Sequence, residues 1–270
     1  MLQKTYSIYS DDLNDVQLFI EAGKNHIACW CKKKDEKALR AFEFFLCDKY
    51  TAENLEELID NTRSYSRLLT MPVSSTNFFW NTDEVLCIPP EKNNSEFLNA
   101  NFELLFGNSV NSKIFSASAE QCLITWRIES EQQHIGQECF RGSVFNHQYV
   151  SLLPSLKLFG ETAVYLFFYP HYFTLIGLKN NNLQFAQTRK YNTPEDVLYS
   201  ILNARKQYDF KINVEVFCGG FIDEKSKLYE TLYQYLGGLQ LMQADETRFA
   251  TGEFKEYSSH YFMPYINYVV

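Results

Sequence analysis

One stretch constrains the fold more than any other: Thr162 to Lys190, and within it Ala163–Tyr169, which reads Ala-Val-Tyr-Leu-Phe-Phe-Tyr. Pro170 breaks that run and His171–Leu178 follows at once; Asn180-Asn181-Asn182 then intervenes before Leu183–Lys190. Three β-prone runs joined by such short breakers predict an antiparallel meander. Strands this apolar are covered on both faces, so Tyr165, Phe167, Tyr169, Tyr172 and Phe173 read as core in preference to a platform for stacking nucleic-acid bases.

After the meander, Thr193 is placed to cap a helix, with Pro194 at its first position and Asp196 returning a hydrogen bond to the cap. Val197, Leu198, Ile201 and Leu202 form its apolar stripe. Lys211–Cys218 predicts a strand, with Ile212, Val214, Val216 and Cys218 alternating up to Gly219-Gly220. Asp223 is expected to cap a helix carrying Leu228, Leu232 and Leu236 on one face. Gly237-Gly238 ends that helix, and Leu239–Met242 gives a short last strand. The tail is aromatic at Tyr261, Phe262, Tyr265 and Tyr268 and is expected to pack.

A weaker version of the same order lies near the N-terminus. Val16–Ala22 and His26–Lys32 are β-rich runs around Gly23-Lys24-Asn25, and Ala38–Cys47 is a third. Thr51 then opens a helix with Leu55, Leu58, Ile59 and Thr62 on one face. Val73–Trp80 and Glu84–Ile88 predict a second hairpin across Asn81-Thr82-Asp83. Ser95–Phe106 has helical spacing and stops at Gly107, and Cys122–Ile128 is a strand. Glu129–Gly136, being polar, is expected to be a loop, and Phe145–Phe159 a helix kinked at Pro154.

Charge and cysteine usage narrow the function classes. The net charge is −8 with scattered basic residues, and Lys32-Lys33-Lys34 reads as a solvated hairpin tip. An acidic surface without a basic stripe disfavours nucleic acid. The N-terminus lacks a signal-peptide core, and residues 162–178 are interrupted by Pro170 and His171, so no membrane-spanning helix is expected. Seven cysteines without paired spacing fit a reducing cytoplasm.

Candidate sites are few. Gly219-Gly220 lies at a strand-to-helix turn, where paired glycines could admit a ligand to backbone amides or simply permit a tight connection, the latter favoured in the absence of a Walker-type lysine. Glu21-Ala22-Gly23-Lys24 sits at a hairpin tip where a phosphate or metal could lie, although an exposed glutamate beside a turn glycine is what any hairpin carries, and that plainer reading is favoured. Cys29 and Cys31 share one strand face but lack a second pair, so they read as buried thiols and not zinc ligands. The histidines, His26, His134, His147, His171 and His260, stand in no metal-binding spacing, and a Cys–His nucleophilic pair is a minor alternative.

The whole order, and most clearly Asn192-Thr193-Pro194-Glu195-Asp196-Val197-Leu198-Tyr199-Ser200-Ile201-Leu202-Asn203 and Cys218-Gly219-Gly220-Phe221-Ile222-Asp223, resembles the actin–hexokinase–Hsp70 superfamily. Within it the chain looks closest to an uncharacterised bacterial domain-of-unknown-function family similar to the actin-like proteins of pilus and type II secretion assembly. The resemblance implies an α/β fold of duplicated actin-like (ribonuclease H-like) halves, 1–159 and 160–270. Each half is a three-stranded antiparallel meander followed by helix-strand units, and the two pack about a nucleotide cleft. The superfamily's first Asp-x-Gly phosphate loop corresponds to Glu21-Ala22-Gly23; its second corresponds to Phe168-Tyr169-Pro170-His171, which has neither Asp nor Gly. Proline also removes an amide that would bind phosphate. The resemblance therefore implies a degenerate member: a cytoplasmic scaffolding or interaction protein with an unknown protein partner, a homodimer being one option, and no resident cofactor. Weak ATP–Mg binding through Glu21, Gly23, Gly219 and Gly220 belongs to the alternative reading, an ATPase or kinase-like enzyme.

Overall fold

A computed structural model describes residues 2–119 and 122–266. They fall into two compact units, residues 2–154 with 246–254 and residues 155–245 with 255–266. Tyr268 lies outside the described residues.

The first unit begins with β1 (Leu2–Tyr9), β2 (Val16–Gly23), β3 (His26–Lys33), β4 (Ala41–Cys47), α1 (Ala52–Tyr65) and β5 (Ser75–Asn81). Next come β6 (Val85–Ile88), α2 (Ser95–Phe106), β7 (Ser112–Ala119) and β8 (Cys122–Glu129), and finally α3 (Ser130–Cys139), β9 (Val144–His147) and α4 (Gln148–Ser155). The main sheet has the order β1-β4-β3-β2-β5-β9, with β2, β5 and β9 parallel. The β2–β3 register pairs Gly23 with His26, leaving Lys24-Asn25 as the turn. Leu55, Ile59 and Thr62 of α1 are buried, as their spacing predicts.

The predicted hairpin across Asn81-Thr82-Asp83 does not form. Both edges of β5 are taken, by β2 and β9, so β6 leaves the main sheet and pairs with β8 in a separate sheet ordered β6-β8-β7. Leu98 and Phe102 of α2 pack against Ile88 and Leu123 of that sheet. The expected loop over Glu129–Gly136 is instead α3, whose buried positions are Gln133 and Gly136. Gln133 accepts a hydrogen bond from Trp80 Nε1 at 2.9 Å, and a Cβ on Gly136 would come within 3.1 Å of the Trp80 ring. A helix buried through an amide and a glycine carries no apolar stripe. The expected helix over Phe145–Phe159 is also revised: its first residues belong to β9, and α4 follows.

The second unit contains β10 (Ala163–Tyr169), β11 (Tyr172–Lys179), β12 (Asn182–Lys190), α5 (Pro194–Gln207), β13 (Glu215–Gly220), α6 (Lys227–Tyr235), β14 (Leu239–Leu241) and α7 (Met263–Ile266). Its sheet has the order β12-β11-β10-β13-β14, the meander antiparallel and β13 parallel to β10. Asn180 and Asn181 both take positive φ, 52° and 61°, as a two-residue turn of the hairpin class requires. Every residue of β10 is buried. Val164, Leu166 and Phe168 meet Val197 and Ile201 of α5 and Leu232 of α6 in one cluster, while on the other face Tyr165 stacks on Phe217 at 5.6 Å.

The α5 cap forms as its sequence predicts, Thr193 N donating to Asp196 Oδ2 at 2.9 Å and Asp196 N to Thr193 Oγ1 at 3.3 Å. Three other expectations are corrected. Leu202 is exposed and Ala204 takes its place on the buried stripe. Ile212 is 89% exposed, because β13 starts only at Glu215. The cap of α6 is Ser226, which accepts from Tyr229 N at 3.1 Å, while Asp223 instead holds the preceding turn by accepting from Lys225 N at 2.7 Å.

Gly220 has φ of 82°, and a Cβ there would lie 2.2 Å from the Phe168 carbonyl oxygen. Both the conformation and the space exclude a side chain, so Gly220→Ala is expected to cost about 3 kcal/mol or more in urea unfolding. Gly237→Ala, with nothing within 4 Å of its Cβ, is the matched control and should change little.

Candidate functional site

The β2–β3 hairpin carries the first candidate group. A two-residue turn places Glu21 and His26 diagonally on one face of the sheet, since Glu21 pairs with Ala28 and Gly23 with His26. The Glu21 side chain, expected to be exposed beside the turn, is instead fully buried, and its Oε1 lies 2.8 Å from His26 Nε2. The same oxygen accepts from Asn81 Nδ2 at 3.1 Å, and Asn81 Oδ1 accepts from Gln148 Nε2 at 2.5 Å. His26 stacks on Phe44 with ring centroids 4.9 Å apart. A buried carboxylate is tolerated only where hydrogen bonds replace its hydration; here the strand-end residues His26 of β3 and Asn81 of β5 contribute them, and Gln148 of α4 holds Asn81 in place.

Gly23 is buried at the end of β2, and Lys24 beside it pairs with Asp83. A pocket of about 180 Å³ opens there, lined by Ala22, Lys24, Tyr50, Asn81, Thr82 and Asp83 among others. Glu21, fully buried, is not among its lining residues. Next to Asn81, His147 is buried and uses both ring nitrogens. Nε2 donates to Thr82 O at 3.1 Å and Nδ1 accepts from Tyr149 N at 3.2 Å, which is the pattern of a neutral imidazole. Burial pulls its pKa down from 6.5 to about 3.

In the second unit, the β10–β11 hairpin turns through Pro170 and His171, the latter at φ 66°. Tyr169 and Tyr172 flank the turn, buried and stacked with centroids 4.9 Å apart and planes 11° from parallel. Gly219 and Gly220 end β13 opposite Phe167 and Phe168. A Cβ on Gly219 would lie 3.0 Å from Met263 Cβ and 3.2 Å from the His260 carbonyl oxygen. The chain's own C-terminal segment therefore packs on this glycine. His260, 2% exposed, lies within 2.7 Å of Ile222 O through Nε2, and burial lowers its pKa.

The structure thus brings Glu21 and Gly23 together at one hairpin and keeps Gly219 and Gly220 adjacent on β13. His26, Asn81, Gln148, His260 and Met263 are the partners that motif reading missed. Only His26 had a signal, the hairpin register that sets it diagonal to Glu21; the others come from distant segments. Cys29 and Cys31 are buried and free, and burial pushes the Cys31 thiol up to about 12, away from thiolate chemistry. Among the described residues, no three His, Cys, Asp or Glu side chains are placed to share a metal ion.

The profile of DUF3822, described as a protein of unknown function, matches residues 6–238. The chain belongs to that family. No curated protein matches it. A Bacteroides thetaiotaomicron protein with an actin-like ATPase fold and unknown function aligns with this DUF3822 protein at TM-score 0.71 and 17% identity, covering 84% of this chain and 91% of that one. The PilM–PilN type IV pilus biogenesis complex aligns at TM-score 0.65 and 12% identity, covering 94% and 97%. The ethanolamine utilization protein EutJ from Carboxydothermus hydrogenoformans aligns at TM-score 0.55 and 8% identity, covering 97% and 92%. At these identities the likeness shows the fold, an actin-like one. No helix among the described residues is long and apolar enough to cross a membrane.

Two expected outcomes follow from the buried polar chain. Glu21→Ala removes the acceptor of His26 and Asn81 and should cost about 3 kcal/mol, most of it restored in Glu21→Gln, which keeps an acceptor oxygen. His147 has a folded-state pKa below its unfolded one, so its contribution is complete above about pH 6.5 and is lost as pH falls towards 3. Across that window the wild type should lose about 1.4 kcal/mol per pH unit relative to His147→Gln, read from urea unfolding at several pH values.

Proposed function

We propose that this chain is a non-catalytic, protein-binding member of the actin-like fold, built from two duplicated halves. The observation that carries this is the Glu21 carboxylate, fully buried and held by His26 and Asn81. A carboxylate engaged in this way cannot orient a magnesium-bound water without breaking those hydrogen bonds. Two further features support the reading. The hairpin corresponding to a second phosphate loop is filled by the Tyr169–Tyr172 stack and carries a proline that has no amide to offer. Gly219, on the nucleoside side of the fold, is covered by Met263 and His260. Duplication is supported by the order three antiparallel strands, helix, parallel strand, which occurs as β2-β3-β4-α1-β5 and again as β10-β11-β12-α5-β13.

Assembly work is the natural use of such a scaffold. PilM, which shares the fold, is described in complex with PilN, and a protein partner for this chain is proposed on that likeness. The seven free cysteines favour a reducing compartment, the cytoplasm. Titration with mant-ATP and excess magnesium should give no saturable signal up to about 1 mM, an affinity no better than about −4 kcal/mol. Saturable micromolar binding by the folded wild type that requires magnesium would favour the ATPase or kinase-like alternative and overturn the reading.

A further inference from the structure

We propose that two copies of this chain pair along the free edge of β7, antiparallel and centred on Phe115, to form a six-stranded sheet from two three-stranded ones. The inference rests on reading the chain as an assembly protein and names one partner, a second copy of itself.

The strand β7 has eight residues, Ser-Lys-Ile-Phe-Ser-Ala-Ser-Ala, and among the described residues it pairs with one strand only, β8. Natural sheets usually blunt such edges with short strands, proline, or charge. Four of the five other edges among the described residues follow that rule. β6 and β9 have four residues each, β14 has three, and β12 ends in Arg189-Lys190. At β1, Glu253 reaches the Tyr9 amide. The β7 strand has no proline and one charge, Lys113, while Ser116 and Ser118 are exposed. α2 covers one face of the strand, where Ile114 packs against the cluster of Leu98 and Phe102 beside a groove of about 290 Å³, but among the described residues no strand pairs with the outer edge of β7. An uncovered, unblunted edge of this length is a template for another strand.

The choice of a second copy comes from register. Two-fold pairing across a sheet keeps each residue on its own face, so residue numbers in a pair must sum to an even number. Two such registers join seven residues of β7, one centred on Phe115 and one on Ser116. The first sets the half-buried Phe115, already stacked on Trp126 at 6.0 Å, against its own copy, an aromatic cross-strand pair. It sets Ile114 against Ser116, Ser112 against Ser118 and Lys113 against Ala117. The two lysines are then four residues apart along the strand, about 13 Å, beyond the ~8 Å Debye length of physiological salt. Nearby charges do not oppose this: Arg127 on β8 is tied to Glu84 at 2.6 Å and to Gly107 O at 2.8 Å, and Glu103 of α2 is solvated.

One strand pair buries less than the ~1,600 Å² of a standard interface, so a micromolar dissociation constant is expected. Light scattering coupled to gel filtration should show mass rising from 31.7 kDa towards twice that value between about 1 and 200 μM. Hydrogen exchange of the wild type should show concentration-dependent protection within Ser112–Ala119 and little elsewhere. The double variant Ser116→Lys/Ser118→Lys, at exposed positions, should weaken the dimer at least ~10-fold with an unchanged far-UV spectrum. A single-chain mass at about 200 μM, a dimer indifferent to the two lysines, or β7 protection seen only on adding a different protein would each overturn the proposal. These outcomes are separate from nucleotide titration: absence of both dimer and nucleotide binding leaves a protein-binding reading with another partner, whereas tight nucleotide binding removes that reading whatever the mass.

Discussion

A carboxylate without solvent must be satisfied by the protein around it, and the first unit is organised by two that are. Glu21 on β2 and Glu43 on β4 are both fully buried and lie on opposite faces of the main sheet. Glu43 accepts from Lys4 Nζ at 2.8 Å, from the Arg67 amide at 2.9 Å, and from the hydroxyls of Tyr9 and Ser66. Those donors come from both ends of β1 and from the residues just after α1, so one anion fixes the edge strand and the helix exit together. Glu21 does the same at the other end of the sheet, joining β3, β5 and α4 through His26, Asn81 and Gln148. Either group, left without its donors, would cost several kcal/mol, comparable with a large part of a domain's net stability.

The second unit solves its equivalent problem without charge. A strand buried along its whole length, such as β10, can be entered only through aromatic and aliphatic packing, and its hairpin closes with Tyr169 on Tyr172. The parallel strand β13 then comes close enough that Gly220 faces the Phe168 carbonyl, and only glycine fits. The first hairpin is closed by a hydrogen-bonded carboxylate in one unit and by a ring stack in the other.

Much of this was legible in the sequence where signals are local. The meander, the Thr193-Pro194-Asp196 cap and the α1 stripe depend on residues within a few positions of one another, and they formed as expected. What could not be read was non-local. Nothing in Val85–Ile88 says that β5 already has two neighbours, so its hairpin with β5 was the natural inference from spacing alone. Helix α3 was hidden because it buries an amide and a glycine against Trp80. The strand β7 was hidden because serine and alanine have low strand propensity, and cross-strand pairing with β8 supplies what its composition lacks. At the candidate site Glu21, Gly23, Gly219 and Gly220 were visible as residues, but apart from His26 the partners named above come from distant segments, as Asn81 with Glu21 and Met263 with Gly219 illustrate.

That distinction bears on how function is inferred for folds of this kind. A phosphate loop is recognised by its turn and its carboxylate, and both can persist for structural reasons after ligand chemistry has gone. Glycine at 220 is required by the Phe168 carbonyl whether or not a nucleoside ever approaches, and Glu21 is required by His26 and Asn81 whether or not a metal does. A motif retained under such constraints carries little information about catalysis. More informative is a group its own fold leaves unpaired, and among the described residues of the first unit the outer edge of the sparsely charged strand β7 is of that kind. A sheet edge that evolution usually blunts, kept open here, is better evidence for what a protein does than a glycine pair its own core demands.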